Sequence, residues 1–489
     1  MALTLSQRLA RYICGASYGD LPGPVVDRVK GRLLHGFATA LAGFQGPSVQ
    51  KALKLSRAVE AAPGGATVLR SGDRLNPLGA AFVNSLMFGA RNQSDSYRIL
   101  THPSAVVVPA ALAAAETAAC SGRDFLTAVA AGLEVETRMA SEEQRIKAVQ
   151  HRGFRASCTY GVFGSAAAAG KLLGLSEEQL VHCLGLTATF ASGTAEGQRW
   201  GTDETSIQDA QASRNGLWAA FLAREGLLAT DTALDGEVGF FHAFTGGAAG
   251  DASQVTQDIG RRFELMKITS KSFPAVGFNQ LPAMLMTSLA RRHGIRPEAV
   301  GSITVEMSHD EVFYPSAEFA KHWPVTGLTE YYVATACVLG EFPQVLPDSQ
   351  IRASAVPGEG DDELADAPTQ ARILEISKKV FVRFSRERQI YHPRMTVRLK
   401  DGRVVSDEMT SEALHKGLDA EVEILRPLVP LTGLSPTEWG NLVAAVGRTE
   451  ALSDISPLVT ACVPGKGSGK ASRPAAGGPA RRAGRRPGH

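Results

Sequence analysis

A chain of 489 residues is longer than one hydrophobic core usually fills, so two domains are expected. Apolar residues make up 44% and charged residues 20%, a balance that excludes a largely disordered chain and permits a substantial core. The formal net charge of +2 is uneven. Lys466, Lys470, Arg473, Arg481, Arg482, Arg485 and Arg486 lie in a final stretch without acids, and removing these seven from 51 basic residues leaves 44 against 49 acidic ones. The body is thus mildly acidic and gives no reason to expect a nucleic-acid-binding face. Residues 464–489, rich in Gly, Ala, Pro and Arg, read as a disordered basic tail capable of non-specific contacts with nucleic acid at most. The six cysteines are scattered with no C-x-x-C pair, which points to reduced thiols in a cytoplasm and away from a zinc site or disulfide framework. Met1 to Tyr12 lacks an apolar signal core and no stretch is long enough to span a bilayer, so a non-membrane, cytoplasmic protein is expected.

In chain order, Pro22 and Pro24 precede Val25, Val26, Val29, Leu33, Leu34, Phe37 and Leu41, a 3.6-residue stripe that Gly43 can end. Further helices are predicted over Ala105–Ala119, Phe125–Met139, Gly161–Leu173 and Ser213–Glu225, and Ser176 to Gln179 has capping-box spacing. After about Leu265 the pattern changes. Val300–Met307, Leu374–Phe384 and Met395–Leu399 read as strands, and Lys400-Asp-Gly402 as a hairpin turn before Arg403–Ser406. Helices at Leu281–Arg292 and Thr329–Leu339 lie among these strands, and helical periodicity resumes over Ser435–Ala451. The expected fold class is therefore mainly α, with a mixed α+β second unit and a C-terminal part packing back on the first.

Several apparent motifs fail on their mechanics. Gly164 to Lys171 has five residues between its glycines and Leu172 where a phosphate loop needs Ser or Thr, so it reads as a close helix contact. Gly15-Ala-Ser-Tyr-Gly19 matches G-x-S-x-G but follows a helix instead of a strand. Ser308-His-Asp-Glu311 reads as a solvated loop, because adjacent side chains do not converge on one metal, and His182 reads as a core or boundary histidine.

A set of phrases spread over residues 1 to about 460 resembles the MmgE/PrpD family, which includes 2-methylcitrate dehydratase, cis-aconitate decarboxylase and iminodisuccinate epimerase. They include Leu33-Leu-His-Gly-Phe-Ala-Thr-Ala-Leu-Ala-Gly43, Asn84-Ser-Leu-Met87, Thr101-His-Pro-Ser-Ala105, Val107-Val-Pro-Ala-Ala-Leu-Ala113, Gly122-Arg-Asp-Phe-Leu126, Gly161 to Gly170 and Lys271-Ser-Phe-Pro274. The resemblance implies a large all-helical domain over 1–266 and 405–463, a smaller α+β lid domain over 267–404, a homodimer, and catalysis without metal or organic cofactor. It further implies His102 as acid/base, with Lys271 and Tyr332 as catalytic donors.

Departures from the family pattern fall on the implied substrate-binding positions. Asn92-Gln-Ser-Asp-Ser96 stands where the family reads D-F-D-D-T, so Asn92 and Ser96 replace an acid and a threonine. Arg155 replaces a histidine, Thr205 a lysine, Gln208 a histidine, and Val276 a further histidine. Each lost charge-assisted hydrogen bond is worth roughly 1.5–3 kcal/mol, so a tricarboxylate should be gripped less firmly. Arg155 is expected to hold one carboxylate bidentately. The expected function is a lyase, dehydratase or decarboxylase, acting on a small carboxylate other than a standard tricarboxylate by proton transfer at carbon. The alternatives are an isomerase, epimerase or cyclase using the same groups, or an inactive binding paralogue.

Overall fold

The computed structural model describes residues 3–98, 101–200, 202–248, 250–312, 328–345 and 366–465, with 199 and 200 described by backbone alone. All but the first two residues of the expected basic tail lie outside these. The helical unit begins with α1 (Leu5–Gly15), α2 (Gly23–Gly43) and α3 (Pro47–Val59). A short antiparallel ribbon, β1 (Ala61–Thr67) with β2 (Arg74–Leu75), interrupts the helices expected here. Then come α4 (Pro77–Gly89), α5 (Pro103–Ala118), α6 (Gly122–Met139), α7 (Glu143–His151), α8 (Ala156–Leu172), α9 (Glu177–Phe190), α10 (Glu196–Trp200), α11 (Glu204–Arg224) and α12 (Phe240–Thr245). The predicted capping box forms: Gln179 N donates to Ser176 Oγ at 3.1 Å and Ser176 N to Gln179 Oε1 at 3.1 Å.

α5, α6, α8 and α11 make the centre of this unit, and α5 and α8 are buried along nearly their whole length. Small residues allow it. A Cβ at Gly164 would stand 2.8 Å from the Gly132 carbonyl oxygen, and one at Gly132 2.7 Å from the Gly164 carbonyl oxygen. The stretch that imitated a phosphate loop is thus the α6–α8 crossing. Both α8 and α11 begin earlier than their apolar periodicity implied, because their first turns are polar and carry site residues.

The second unit contains α13 (Gln280–His293), β3 (Val300–Met307), α14 (His309–Val312), α15 (Thr329–Leu339), α16 (Ala367–Ser377), β4 (Val380–Phe384), β5 (Arg394–Leu399) and β6 (Val404–Glu408). The sheet order is β4-β3-β5-β6, with β3 parallel to β4 and antiparallel to β5, and β5 antiparallel to β6. The strand predicted over Leu374–Phe384 is shorter than expected. Its first four residues end α16, which Asp366 caps through Thr369 N at 2.9 Å, and only Val380 onward pairs with β3. β6 straddles the expected domain boundary at 404/405, and Leu414 still belongs to the second core, whose members otherwise run from Phe273 to Leu399. The chain then returns through α17 (Leu418–Leu425) and α18 (Pro436–Gly447) to the first core, as the C-terminal periodicity implied.

The Ser308–Glu311 segment is not the solvated loop expected. Glu311 is buried and accepts from Ser308 N, Ser308 Oγ and Tyr391 N. Among the described residues no group of three or more His, Cys, Asp or Glu could hold a metal, and no helix is long and apolar enough to cross a membrane. All six cysteines are free thiols, and five are buried.

Candidate active site

The segment between α4 and α5 lies against residues 269–271, tied by an antiparallel bridge in which Ser96 N donates to Thr269 O at 3.0 Å and Thr269 N to Ser96 O at 2.7 Å. Asn92 has φ 51°, a left-handed conformation that Asn tolerates better than most residues. Its carbonyl accepts from Lys271 Nζ at 3.2 Å. Asp95 is fully buried and accepts from Ser104 N at 3.1 Å and from Ser104 Oγ, at the start of α5.

His102 caps the N-terminus of α5, directly before Pro103. Its backbone N–H donates to Ser157 Oγ at 3.2 Å, and its Nδ1 lies 2.8 Å from the Asp95 carbonyl oxygen. A carbonyl oxygen can only accept, so the neutral ring must carry its proton on Nδ1 and present Nε2 as the basic atom. Burial first, then the nearby Lys271 and Arg155 charges, push its pKa down to about 4, against the opposing pull of Asp209. Lys271, 1% exposed, is likewise pushed down to about 7, chiefly by burial and further by Arg155, while Asp95 and Asp209 oppose the shift. These mutual influences mark His102, Lys271, Asp95, Arg155 and Asp209 as one electrostatic cluster.

Arg155 enters this cluster with its fork already engaged. Nη1 donates to Asp209 Oδ1 at 2.6 Å and Nη2 to Asp209 Oδ2 at 2.8 Å, and Nη1 also reaches the Thr205 carbonyl at 3.2 Å. The bidentate carboxylate expected from a substrate is supplied by the protein itself. Burial works to raise the Asp209 carboxyl, but the Arg155 guanidinium wins and holds it below the ordinary carboxylate range. Gln208 donates through Nε2 to Thr194 O at 2.8 Å, while the buried Thr205 and Ser96 hydroxyls make no hydrogen bond among the described residues. Those two groups remain able to meet a ligand.

Tyr332 and Val276 stand further back, in or against the second core. Tyr332 stacks on Phe342 at 4.6 Å between ring centroids and lies 6.5 Å from Phe273, two residues after Lys271. Val276 opens the short 3-10 turn Gly277–Asn279 and packs on the same core. The sequence reading missed Asp209 and Ser157. The available signal was an acid on the small-residue face of α11, one helical turn beyond Thr205, where a charge needs a partner.

Beneath the site, buried Arg32 of α2 pairs with Glu421 of α17 and donates to Ser270 Oγ at 2.5 Å, and Ser270 in turn donates to Glu421. His35 Nδ1 meets Glu421 at 2.9 Å, and its Nε2 meets the Gln93 carbonyl at 2.7 Å. The returning C-terminal segment thereby fixes both chains that carry Asn92, Asp95 and Lys271.

A part-buried histidine at the start of a helix thus shares one electrostatic cluster with a buried lysine, an arginine and two buried carboxylates. The model of the MmgE/PrpD N-terminal domain matches residues 7–252, and the chain belongs to the MmgE/PrpD family. It is 28% identical over 478 residues to the cis-aconitate decarboxylase-like protein oryM of Aspergillus oryzae, covering 93% of this chain and 94% of that one. It is 32% identical over 248 residues to the cis-aconitate decarboxylase of Homo sapiens, 49% of this chain and 50% of the human one. To an Aspergillus terreus cis-aconitate decarboxylase it is 29% identical over 285 residues, 56% and 58% of the respective chains. These relationships support a lyase at the level of the family.

Proposed function

We propose that this protein is a decarboxylase of a small unsaturated or β-functionalised carboxylic acid, with His102 and Lys271 as its proton-transfer pair. The reading rests on one observation above all: the Asp95 carbonyl fixes the His102 tautomer and leaves Nε2 as the base within the field of Lys271. Loss of carbon dioxide leaves an electron pair at carbon, conjugated with a remaining acid group. Lys271 stabilises the negative charge as it develops, and a proton returns to carbon from protonated His102. An anionic substrate also raises the pKa of both groups, bringing His102 toward neutrality when it is needed.

Because Asp209 fills the Arg155 fork and Thr205, Gln208 and Val276 bring no charge, the site holds fewer cations than a tricarboxylate calls for. A mono- or dicarboxylate with a larger apolar part fits this inventory better. The same economy supports a second reading, an isomerase that moves a proton without losing a fragment. We further propose the homodimer and the division into helical body and lid, with the lid extending to about Leu414, where the second core ends.

The test is incubation of the full chain in deuterium oxide with cis-aconitate and with mono- and dicarboxylic analogues, followed by mass spectrometry. Decarboxylation gives a product lighter by carbon dioxide with one deuterium at carbon, whereas a product that keeps every substrate atom and is heavier only by the deuterium taken up selects the isomerase. We expect His102→Gln to lower kcat by about 10²–10⁴-fold. Full activity in that variant refutes the assignment.

A further inference from the structure

A cleft of about 870 Å3 opens between the two units and has none of His102, Lys271, Arg155 or Asp209 in its lining. Tyr97, Arg98 and Thr269 line it, so it lies against the same bridged chains that carry Asp95 and Lys271, but is built from the residues next to them. Its far wall comes from the segment after β4, with Arg386, Arg388 and His392.

Among the described lining residues five cationic side chains, Arg98, Lys147, Lys267, Arg386 and Arg388, face three carboxylates, Glu143, Asp310 and Glu412. Lys147 is engaged by Glu143 and by Asp310 at 2.9 Å, Lys267 by Glu264 at 2.8 Å, and Arg388 by Glu408 at 2.8 Å. Two guanidinium groups remain. Arg386 is exposed and makes no side-chain hydrogen bond or ion pair among the described residues. Arg98 lies over the Tyr97 ring at 5.9 Å and, among the described residues, donates only to its hydroxyl, at 3.5 Å. Against these two, Glu412 is the one lining carboxylate not already taken by Lys147.

The backbone here is also held in an unusual state. Arg98 (φ 50°) and Tyr391 (φ 59°) both adopt left-handed conformations that non-glycine residues rarely take. They are locked together across the two units, Tyr391 Oη donating to the Arg98 carbonyl at 2.5 Å and Tyr391 N to buried Glu311 at 2.9 Å. Strain of this kind persists where the surroundings over-determine it, and it gathers at ligand clamps. We propose that the cleft is a second binding site, for a small anion carrying two or more phosphate or carboxylate groups, anchored by Arg98 and Arg386. Guanidinium forks suit both oxyanions, and Lys267 and His392 stand beside them as further donors. Occupancy would bear on the first site mechanically, since Arg98 is three residues from the carbonyl that orients His102.

The test is the melting temperature of the full chain titrated with pyrophosphate and, separately, with citrate, at ionic strength matched by sodium chloride. We expect a saturable rise with at least one of them. That rise should persist in His102→Gln/Lys271→Met and should need at least tenfold more ligand in Arg98→Gln/Arg386→Gln. Response to pyrophosphate alone assigns phosphate, and response to citrate alone assigns carboxylate. Arg386→Gln by itself, at an exposed position, gives the same weakening in smaller degree if the double variant does not fold. Neither anion producing a saturable shift overturns the proposal, as does a shift that vanishes in His102→Gln/Lys271→Met but survives in the arginine variants. Neither result depends on whether the first site decarboxylates anything.

Discussion

His102 is held at a pKa of about 4 and Lys271 at about 7, and the proposed decarboxylation needs both protonated, His102 to return the proton to carbon and Lys271 to meet the developing charge. Since kcat/KM reports the free enzyme, it should fall as pH rises through about 4, where His102 gives up its proton, and fall more steeply above about 7, where Lys271 does, with its highest values on the acid side of neutrality. Rates measured across pH 3.5–9 at low substrate check this, and a plateau extending past pH 9 would remove Lys271 from the mechanism. Glu136 offers a contrasting case. It is fully buried on α6, neither carboxylate oxygen has a hydrogen-bond partner among the described residues, and burial, then Asp95 and Asp209, push its pKa well up. The unfolded chain releases this proton at ordinary carboxylate pH while the folded chain retains it, so its contribution to stability falls as pH rises above about 4.5. Glu136→Gln should therefore melt higher than the parent at pH 7–8, with the advantage shrinking toward pH 4.5. His102 and Lys271, the proposed proton-transfer pair, could be singled out in the sequence because their neighbours in the chain carry the family phrases. Asp209, Ser157 and Glu136 were not, because what distinguishes them is a partner, or the lack of one, on another helix.

At the scale of elements, the apolar stripes located the buried lengths of α2, α5 and α6 well, and missed the polar first turns of α8 and α11 where Arg155, Thr205 and Asp209 are held. Periodicity registers what faces a core, and a helix end whose first turn is polar leaves no such trace. The α6–α8 crossing tests the close-packing argument. A methyl at Gly164 would meet the Gly132 carbonyl, a Val107 methyl at 2.8 Å and Glu136 Cβ at 2.9 Å, so Gly164→Ala should destabilise by about 1–3 kcal/mol through overpacking. Denaturant titration measures it, and an unchanged midpoint would mean that the helices separate freely. Glu421 tests the C-terminal return. Removing it leaves buried Arg32 with its longer pairing to Asp95 at 4.0 Å, and breaking a buried pair costs up to about 3–5 kcal/mol. Glu421→Ala should show that loss together with a raised KM, because Ser270 and Gln93 lose their shared anchor.

Across the whole molecule, two hydrophobic cores meet along the bridged segments 95–98 and 269–271, and the proposed site depends on both. The change from helical to strand periodicity near Leu265 made the two units legible. It gave the return point poorly, because β6 joins only Val404 and Val405 to Ser406, Asp407 and Glu408 and so leaves no apolar run. The units should also differ in how they open. α5 and α8 are buried along nearly their whole length, whereas β4 exposes Phe381 and Phe384 and β6, at the other edge of the sheet, exposes Val404. Amides of α5 and α8 should therefore exchange with solvent only through global unfolding, and those of β4 and β6 through a smaller opening of the second unit. Hydrogen exchange followed by mass spectrometry across a denaturant series separates these regimes. A carboxylate bound between the units should slow exchange at 92–98 and 269–271 and draw the second unit's opening energy toward the global value, since opening then also expels the ligand. Equal protection of both sheet edges and the α5–α8 pair without ligand would mean that the two cores unfold as one.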